Sequence, residues 1–358
     1  MKRFNLFCFL LAVVVTSYAD EVLRVVPFTA QAGTVSDDAA CFDIAMTNSE
    51  AIWGFQFEML LPEGMTLDTT YDPFELDEDR FPYTEDRKHN KLFDHAITWS
   101  TLSDGWIRVM VFSADDPNTR VKNNDGVVLH AYYLTDESMP SGLYTVAIRA
   151  AKLVITTEKS LLPEPSQSVV AIDGKEDMEV TYTLTDAGWG TLMLPFEAAL
   201  PAGLSVYGCE QIAGDELVLT SASVIQSNTP YIVTGTVGSY TFSGQPAVEE
   251  NTVKKGLLCG VNLDTVVAEG YVLQDGDSGT AFYLVDAQEP VTVPTGRCFL
   301  TCTQADLSAA LRIGGTTGLT LPTIATENSI YDLQGHRCPF PTQGSIVIRD
   351  GKKMLNKK

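Results

Sequence analysis

Apolar and polar side chains alternate with a period of two along much of this chain, the pattern of strands with one buried face. In Trp53-Gly54-Phe55-Gln56-Phe57-Glu58-Met59-Leu60-Leu61, the side chains of Trp53, Phe55, Phe57, Met59 and Leu61 share one face. The other face carries Gly54, Gln56, Glu58 and Leu60. Trp53 is therefore expected in the core, and Pro62-Glu63-Gly64 closes the strand as a turn. Phe42, Ile44 and Met46 point inward from the preceding strand. Further strands are predicted over 97–100, 106–113, 127–134 and 144–155. Short strands at this spacing, joined by turns such as Ser103-Asp104-Gly105, predict an all-β antiparallel sandwich over residues 20–157.

Pro163, Pro165, Ser166, Ser168 and a charged cluster then predict a linker over 158–179. A second, mostly-β domain is predicted over 180–312, with strands at 180–184, 191–194, 217–220, 231–234, 281–285 and 298–301. Only 304–311 hints at a helical turn. Residues 313–326 are Gly/Thr-rich and read as a flexible linker, and 327–358 as a tail of two β-hairpin fragments ending in a basic cluster. At the other end, Lys2 and Arg3 precede an apolar run over 4–15, and Ser17-Tyr18-Ala19 supplies small residues. That is the pattern of a signal peptide over residues 1–19, cleaved before Asp20. The run is too short to span a bilayer, which takes about 20 residues. Cys8 lies inside it and no Cys follows the cleavage site, which argues against a lipid anchor. The chain is expected to be exported to the periplasm, the cell surface or the medium, with no membrane span.

Charge narrows the partners. The 24 basic residues face 46 acidic ones, a net charge of −22, and loss of Lys2 and Arg3 makes it −24. Nucleic acids and anionic lipids bind through clustered Lys and Arg, so both are excluded as partners. The acidity suits solubility outside the cell, a cationic partner or bound Ca²⁺. Beyond the signal, Cys41, Cys209, Cys259, Cys298, Cys302 and Cys338 remain, sparse for an oxidising compartment. Cys298 and Cys302 are four residues apart, unlike a CxxC pair. Buried free thiols are expected, with one bridge inside the second domain as the alternative.

Motifs for catalysis are missing. His89, His95, His130 and His336 form no HExxH or HxH pair, and there is no GxSxG elbow, P-loop or dinucleotide fingerprint. No enzyme is expected; a polysaccharide hydrolase using surface carboxylates is the least favoured reading. Asp275-Gly276-Asp277-Ser278-Gly279 partly echoes an EF-hand loop but reads better as a hairpin turn. The acidic stretches are the 72–86 loop and Asp115, Asp116 and Asp125, the latter three a candidate Ca²⁺ loop; no other cofactor is implied. Aromatic residues carry a clearer binding signal. If Ile107, Val109 and Val111 face the core, then Trp106, Arg108, Met110 and Phe112 form an outward stripe. These four, with Trp99, are the candidate ligand-binding residues; the alternative is a strand covered by a loop or by the second domain, and Trp99 and Trp189 are each compatible with either face.

Phe42-Asp-Ile44-Ala-Met46-Thr-Asn48, Ile52-Trp-Gly54-Phe55-Gln-Phe57, Leu61-Pro-Glu-Gly64-Met-Thr-Leu67, Asn124-Asp-Gly126-Val-Val-Leu129 and Ser141-Gly142-Leu-Tyr144 resemble the cohesin-like sandwiches. That is a jelly-roll group related to carbohydrate-binding modules. The stretches Gly188-Trp189-Gly190-Thr-Leu-Met-Leu194-Pro195-Phe196 and Asn228-Thr229-Pro230-Tyr231-Ile232 resemble a β-module of exported proteins from Gram-negative, Bacteroides-type anaerobes. The tail Ile330-Tyr331-Asp332-Leu333-Gln334-Gly335, with Gly344 and Gly351-Lys352-Lys353, is similar to C-terminal sorting segments of the same bacteria. Together these resemblances imply a non-catalytic exported binding protein recognising an extracellular polysaccharide or a surface protein. A structural or adhesive surface subunit is the alternative.

Overall fold

The computed structural model describes residues 21–113, 119–276, 279–301 and 309–314, and three strands beyond them. Residues 1–19, where a signal is expected, and Asp115, Asp116, Cys302 and Cys338 lie outside the described residues. The first fourteen strands are β1 (Val22–Val25), β2 (Phe28–Gln31), β3 (Cys41–Thr47), β4 (Gly54–Leu60), β5 (Met65–Leu67), β6 (Phe74–Leu76) and β7 (Tyr83–Glu85). Then follow β8 (Lys91–Phe93), β9 (His95–Thr101), β10 (Ile107–Ser113), β11 (Val127–Thr135), β12 (Gly142–Val154), β13 (Ser160–Leu161) and β14 (Ser166–Asp173).

Two sheets face each other. One runs β1-β3-β11, with β5 and β6 both on β11; the other runs β2-β14-β12-β4-β10-β9, with β13 on β12. Pairing is antiparallel apart from β2 on β14. The alternation within β4 works as expected: Phe55, Phe57 and Met59 are buried between the sheets with Phe42, Ile44 and Met46 of β3. Burying each such side chain contributes about 1.5–3 kcal/mol. The fold is an all-β sandwich, in which Trp53 does not join the core cluster. It precedes β4, where its backbone N–H bonds the Val154 carbonyl (2.7 Å), and its ring lies under the Arg120 guanidinium (4.4 Å).

The expected linker over 158–179 is corrected by the structure. It contains β13 and β14, and β14 is a central strand pairing with β12 over Gly142–Ile148. Pro163 and Pro165 mislead there, because the apolar run Val169-Val170-Ala171-Ile172 is a strand buried on both faces. Val170 and Ile172 face the sandwich core, while Val169 and Ala171 pack with Val248 of the following β-region.

That region begins with Met178–Leu184, paired with Gly238–Gly244, and continues as a ten-stranded sheet from Trp189–Leu192 to Ala310–Ile313. The part of the 304–311 stretch that is described is strand, not helix, since Ala310–Ile313 pairs with the Gly279–Leu284 strand. Gly276 pairs with Gly279 where the Tyr271–Gly276 and Gly279–Leu284 strands meet, and Asp277 and Ser278 of the EF-hand echo lie outside the described residues. Cys41 is exposed and Cys259 and Cys298 are buried, all three as free thiols. Ile330–Tyr331, Ile346–Arg349 and Lys352–Leu355 form one three-stranded sheet. Among the described residues no helix is long and apolar enough to cross a membrane.

Candidate functional site

The outward stripe lies on the outer face of the β9-β10-β4-β12 sheet. Ile107, Val109 and Val111 are buried, while Arg108, Met110 and Phe112 are exposed, so the predicted sidedness of β10 holds. Tertiary structure divides the stripe into three environments. At its centre Glu58 stands opposite Arg108 on β10 and Arg149 on β12. It is only 8% exposed and accepts hydrogen bonds from Arg108 (Nε 3.2 Å, Nη2 2.6 Å) and Arg149 (Nε 2.8 Å). The bond from Arg108, then that from Arg149, holds the Glu58 carboxyl below the usual range. Arg108 is therefore engaged within the sheet.

A bulge makes this arrangement possible. Between Arg149 and Lys152 the β12 register gains one residue on β4, with Ala150 at φ 51°. Arg149 and Lys152 then stand opposite the outward residues Glu58 and Gln56, while Ile148, Ala151 and Leu153 all enter the core.

At one end of the stripe sits Trp106, delivered by the turn that opens β10. Gly105 adopts φ +85°, and the Leu102 N–H bonds the Trp106 carbonyl at 2.7 Å. The same turn supplies Asp104, which accepts from Arg149 Nη2 at 2.7 Å. The Arg149 guanidinium thus lies over one face of the indole, 3.8 Å from the ring centroid. The half-buried ring borders the cleft between the sandwich and the second β-region.

At the other end Met110 (40% exposed) and Phe112 (43% exposed) line a shallow apolar depression of about 360 Å³ with Trp53, Gly54 and Val154. Gly54 pairs with Phe112, and a Cβ there would meet the Val111 carbonyl oxygen at 2.3 Å. Only glycine lets the two strands approach so closely.

Trp99 belongs elsewhere. It pairs with Val109 on the core-facing side of β9 and meets Phe74 edge-on at 6.4 Å. Of the candidate Ca²⁺ loop, the described Asp125 accepts from Thr47 Oγ1 at 2.6 Å. It lies in the field of Arg80, whose guanidinium is 2% exposed. Arg80 donates to the carbonyls of Lys122 (2.7 Å), Met46 (3.1 Å) and Gly126 (3.0 Å) and to Asn48 Oδ1 (3.0 Å). An internal cation already stands beside this loop. Among the described residues no group of three or more His, Cys, Asp or Glu is arranged to hold a metal.

Sequence reasoning placed Glu58 outward but missed its partner Arg149, and it missed Asp104 and Trp53 as parts of this surface. Glu58 opposite Arg108 is visible once β4 and β10 are paired; Arg149 is not, because the bulge breaks its alternation. On the opposite sheet His130 bridges Asp43 (2.8 Å) and Asp77 (3.4 Å). Tyr132 donates to Glu75 at 2.8 Å, which, with burial, pushes its phenol up to about 12.

No protein-family model and no curated protein matches the chain. Solved structures are similar to parts of it. A cohesin of Clostridium thermocellum, from a type I cohesin–dockerin complex, is 13% identical, covering 42% of this chain and 91% of its own at a TM-score of 0.31. The third cohesin ScaC of Acetivibrio cellulolyticus, solved with a dockerin, is 16% identical over 42% of this chain and 99% of its own, at a TM-score of 0.31. The C-terminal domain of an AgI/II polypeptide of Streptococcus agalactiae is 10% identical over 78% of this chain and 96% of its own, at a TM-score of 0.23.

Proposed function

We propose that this chain is a non-catalytic exported binding protein whose first sandwich engages a protein partner through the Met110–Phe112 depression. The observation that supports this reading most is the exposure of two large apolar side chains side by side on a flat sheet face. A flat apolar patch with a methionine adapts to a protein surface. The Glu58–Arg108–Arg149 network borders the patch with polar groups whose charges are internally matched. Such a polar border around an apolar centre is the anatomy of a protein interface.

A photo-crosslinking residue substituted at Phe112, in the cells that produce the protein, tests this directly. The expected result is a discrete protein adduct from position 112 and none from exposed Val237 (58% exposed) on the second region. A correctly folded variant that yields no adduct at 112 overturns the proposal. The purely structural subunit remains the competing account, and it predicts that outcome.

A further inference from the structure

The geometry points to a second binding site, in the cleft between the sandwich and the following β-region, whose ligand we infer to be a neutral oligosaccharide. It is separate from the Met110–Phe112 depression and does not rest on the protein-partner reading.

The cleft exists because the two parts are fastened at β2 and β14. Thr29 Oγ1 accepts from the Val248 N–H (3.0 Å) and donates to its carbonyl (3.3 Å). The Asn251 side chain acts like a peptide group on β14: Oδ1 accepts from the Val169 N–H (2.8 Å) and Nδ2 donates to the Gln167 carbonyl (2.9 Å). With Val248 packed on Val169 and Ala171, these bonds hold open a cleft of about 640 Å³ beside the joint. Ligand sites favour domain junctions, and volumes of about 300–1,000 Å³ are usual for them.

The lining sets the ligand class. Trp106 contributes an indole whose orientation is held by Arg149, and Val266, 66% exposed, contributes an apolar surface from the second region. Polar groups also line the cleft: the exposed Gln167 amide and the Thr265 hydroxyl, which donates to the Leu263 carbonyl (2.7 Å) and keeps its lone pairs as acceptors. A pyranose has apolar C–H faces and a hydroxyl rim, and a ring wall with amide and hydroxyl groups complements both. The two charged residues of the cleft are already engaged. Arg149 is paired with Glu58 and Asp104, and Asp264 accepts from Thr295 N (2.8 Å) and Oγ1 (2.9 Å). They are also opposite in sign. A phosphate or a uronate would find no cation there without breaking the Glu58 network, which excludes an acidic sugar, and the indole, valine and amide lining matches a neutral one.

The test is titration calorimetry of the full chain with soluble neutral hexasaccharides (cello-, xylo-, manno- and malto-series) and with an acidic oligogalacturonide. One neutral series is expected to bind. Gln167→Ala, Val266→Asp and Trp106→Ala should each weaken it at least about tenfold, equal to ~1.4 kcal/mol. Phe112→Ala should leave it unchanged, which separates this site from the protein-binding face. Gln167 and Val266 are surface positions, so their variants keep the test valid if Trp106→Ala disturbs the fold. Absence of binding to every neutral series, preference for the acidic probe, or binding indifferent to the Gln167 and Val266 changes would each overturn the assignment.

Discussion

Replacing Arg80 with methionine is expected to be among the most damaging single changes in the sandwich. Methionine keeps the stem as far as the Nε position and lacks the three atoms beyond it, so a small cavity is left and the loss is chiefly of hydrogen bonds. Four acceptors face the guanidinium: the carbonyls of Lys122, Met46 and Gly126, and Asn48 Oδ1. The Gly126 oxygen keeps the Met46 N–H at 2.9 Å, but Asn48, 1% exposed, has its Oδ1 left facing the lost donor. Stranded buried acceptors cost about 1–3 kcal/mol each. Relief of the burial that lowers the Arg80 pKa offsets part of that. A net loss of about 3–4 kcal/mol follows, in line with removal of one member of a buried charged contact. For a module of this size it corresponds to a fall of about 6–16 °C in Tm. Differential scanning calorimetry of the full chain, with separate transitions fitted, reads this change. Arg80→Lys should fall between the two, because a single ammonium cannot reach acceptors spread around a planar fork. A loss below about 1 kcal/mol, or a lysine variant as stable as the parent, would refute the reasoning.

Other outcomes follow from the same structure. His95 Nε2 donates to the Trp53 carbonyl (3.0 Å), its Nδ1 is buried without a partner, and burial lowers its pKa. The unfolded chain therefore takes up this proton first, so stability present above about pH 6.5 should decline as pH falls through that value. A His95→Phe variant whose melting curve keeps the same pH dependence would contradict this. Asn251→Ala removes both bonds to β14 and should uncouple the two parts by about 1–3 kcal/mol, seen as divergence of their calorimetric transitions. Gly54→Ala forces a methyl against the Val111 carbonyl and should cost about 1–3 kcal/mol in chemical denaturation. Among Cys41, Cys259 and Cys298, only exposed Cys41 should react with a thiol reagent in the native protein. Cys298, its thiol pushed by burial up to about 12, should react only on unfolding.

Much of the sandwich was legible in the sequence because a half-buried strand writes its burial into alternate residues. Phe55, Phe57 and Met59 inward, and Arg108, Met110 and Phe112 outward, follow from that period alone. Two features of the sequence misled. Pro163 and Pro165 made β14 look like linker, because a strand covered on both faces has no alternation to display. Trp53 extended the β4 pattern by one residue, but the strand begins at Gly54, and Trp53 stands outside the core cluster as a half-buried residue with its indole nitrogen covered. The candidate site was less legible than the fold. Arg108, Met110 and Phe112 lie on the outward face of β10 as the alternation placed them, whereas Trp106 is half-buried and Trp99 lies on the opposite face of the same sheet.

Composition and local pattern alone determined the all-β class, the sidedness of β4 and β10 and the strong negative charge. Each depends on a residue and its near neighbours, and each survives in the structure for that reason. Which part of the stripe remains open was decided by residues distant in the chain. Glu58 and Arg149 are 91 positions apart, and one extra residue in β12 brings them together. Asn251 and Val169 are 82 apart and create a cleft that neither segment encodes alone. A binding surface is made of contacts between strands, and a one-dimensional pattern records only which face each strand turns outward.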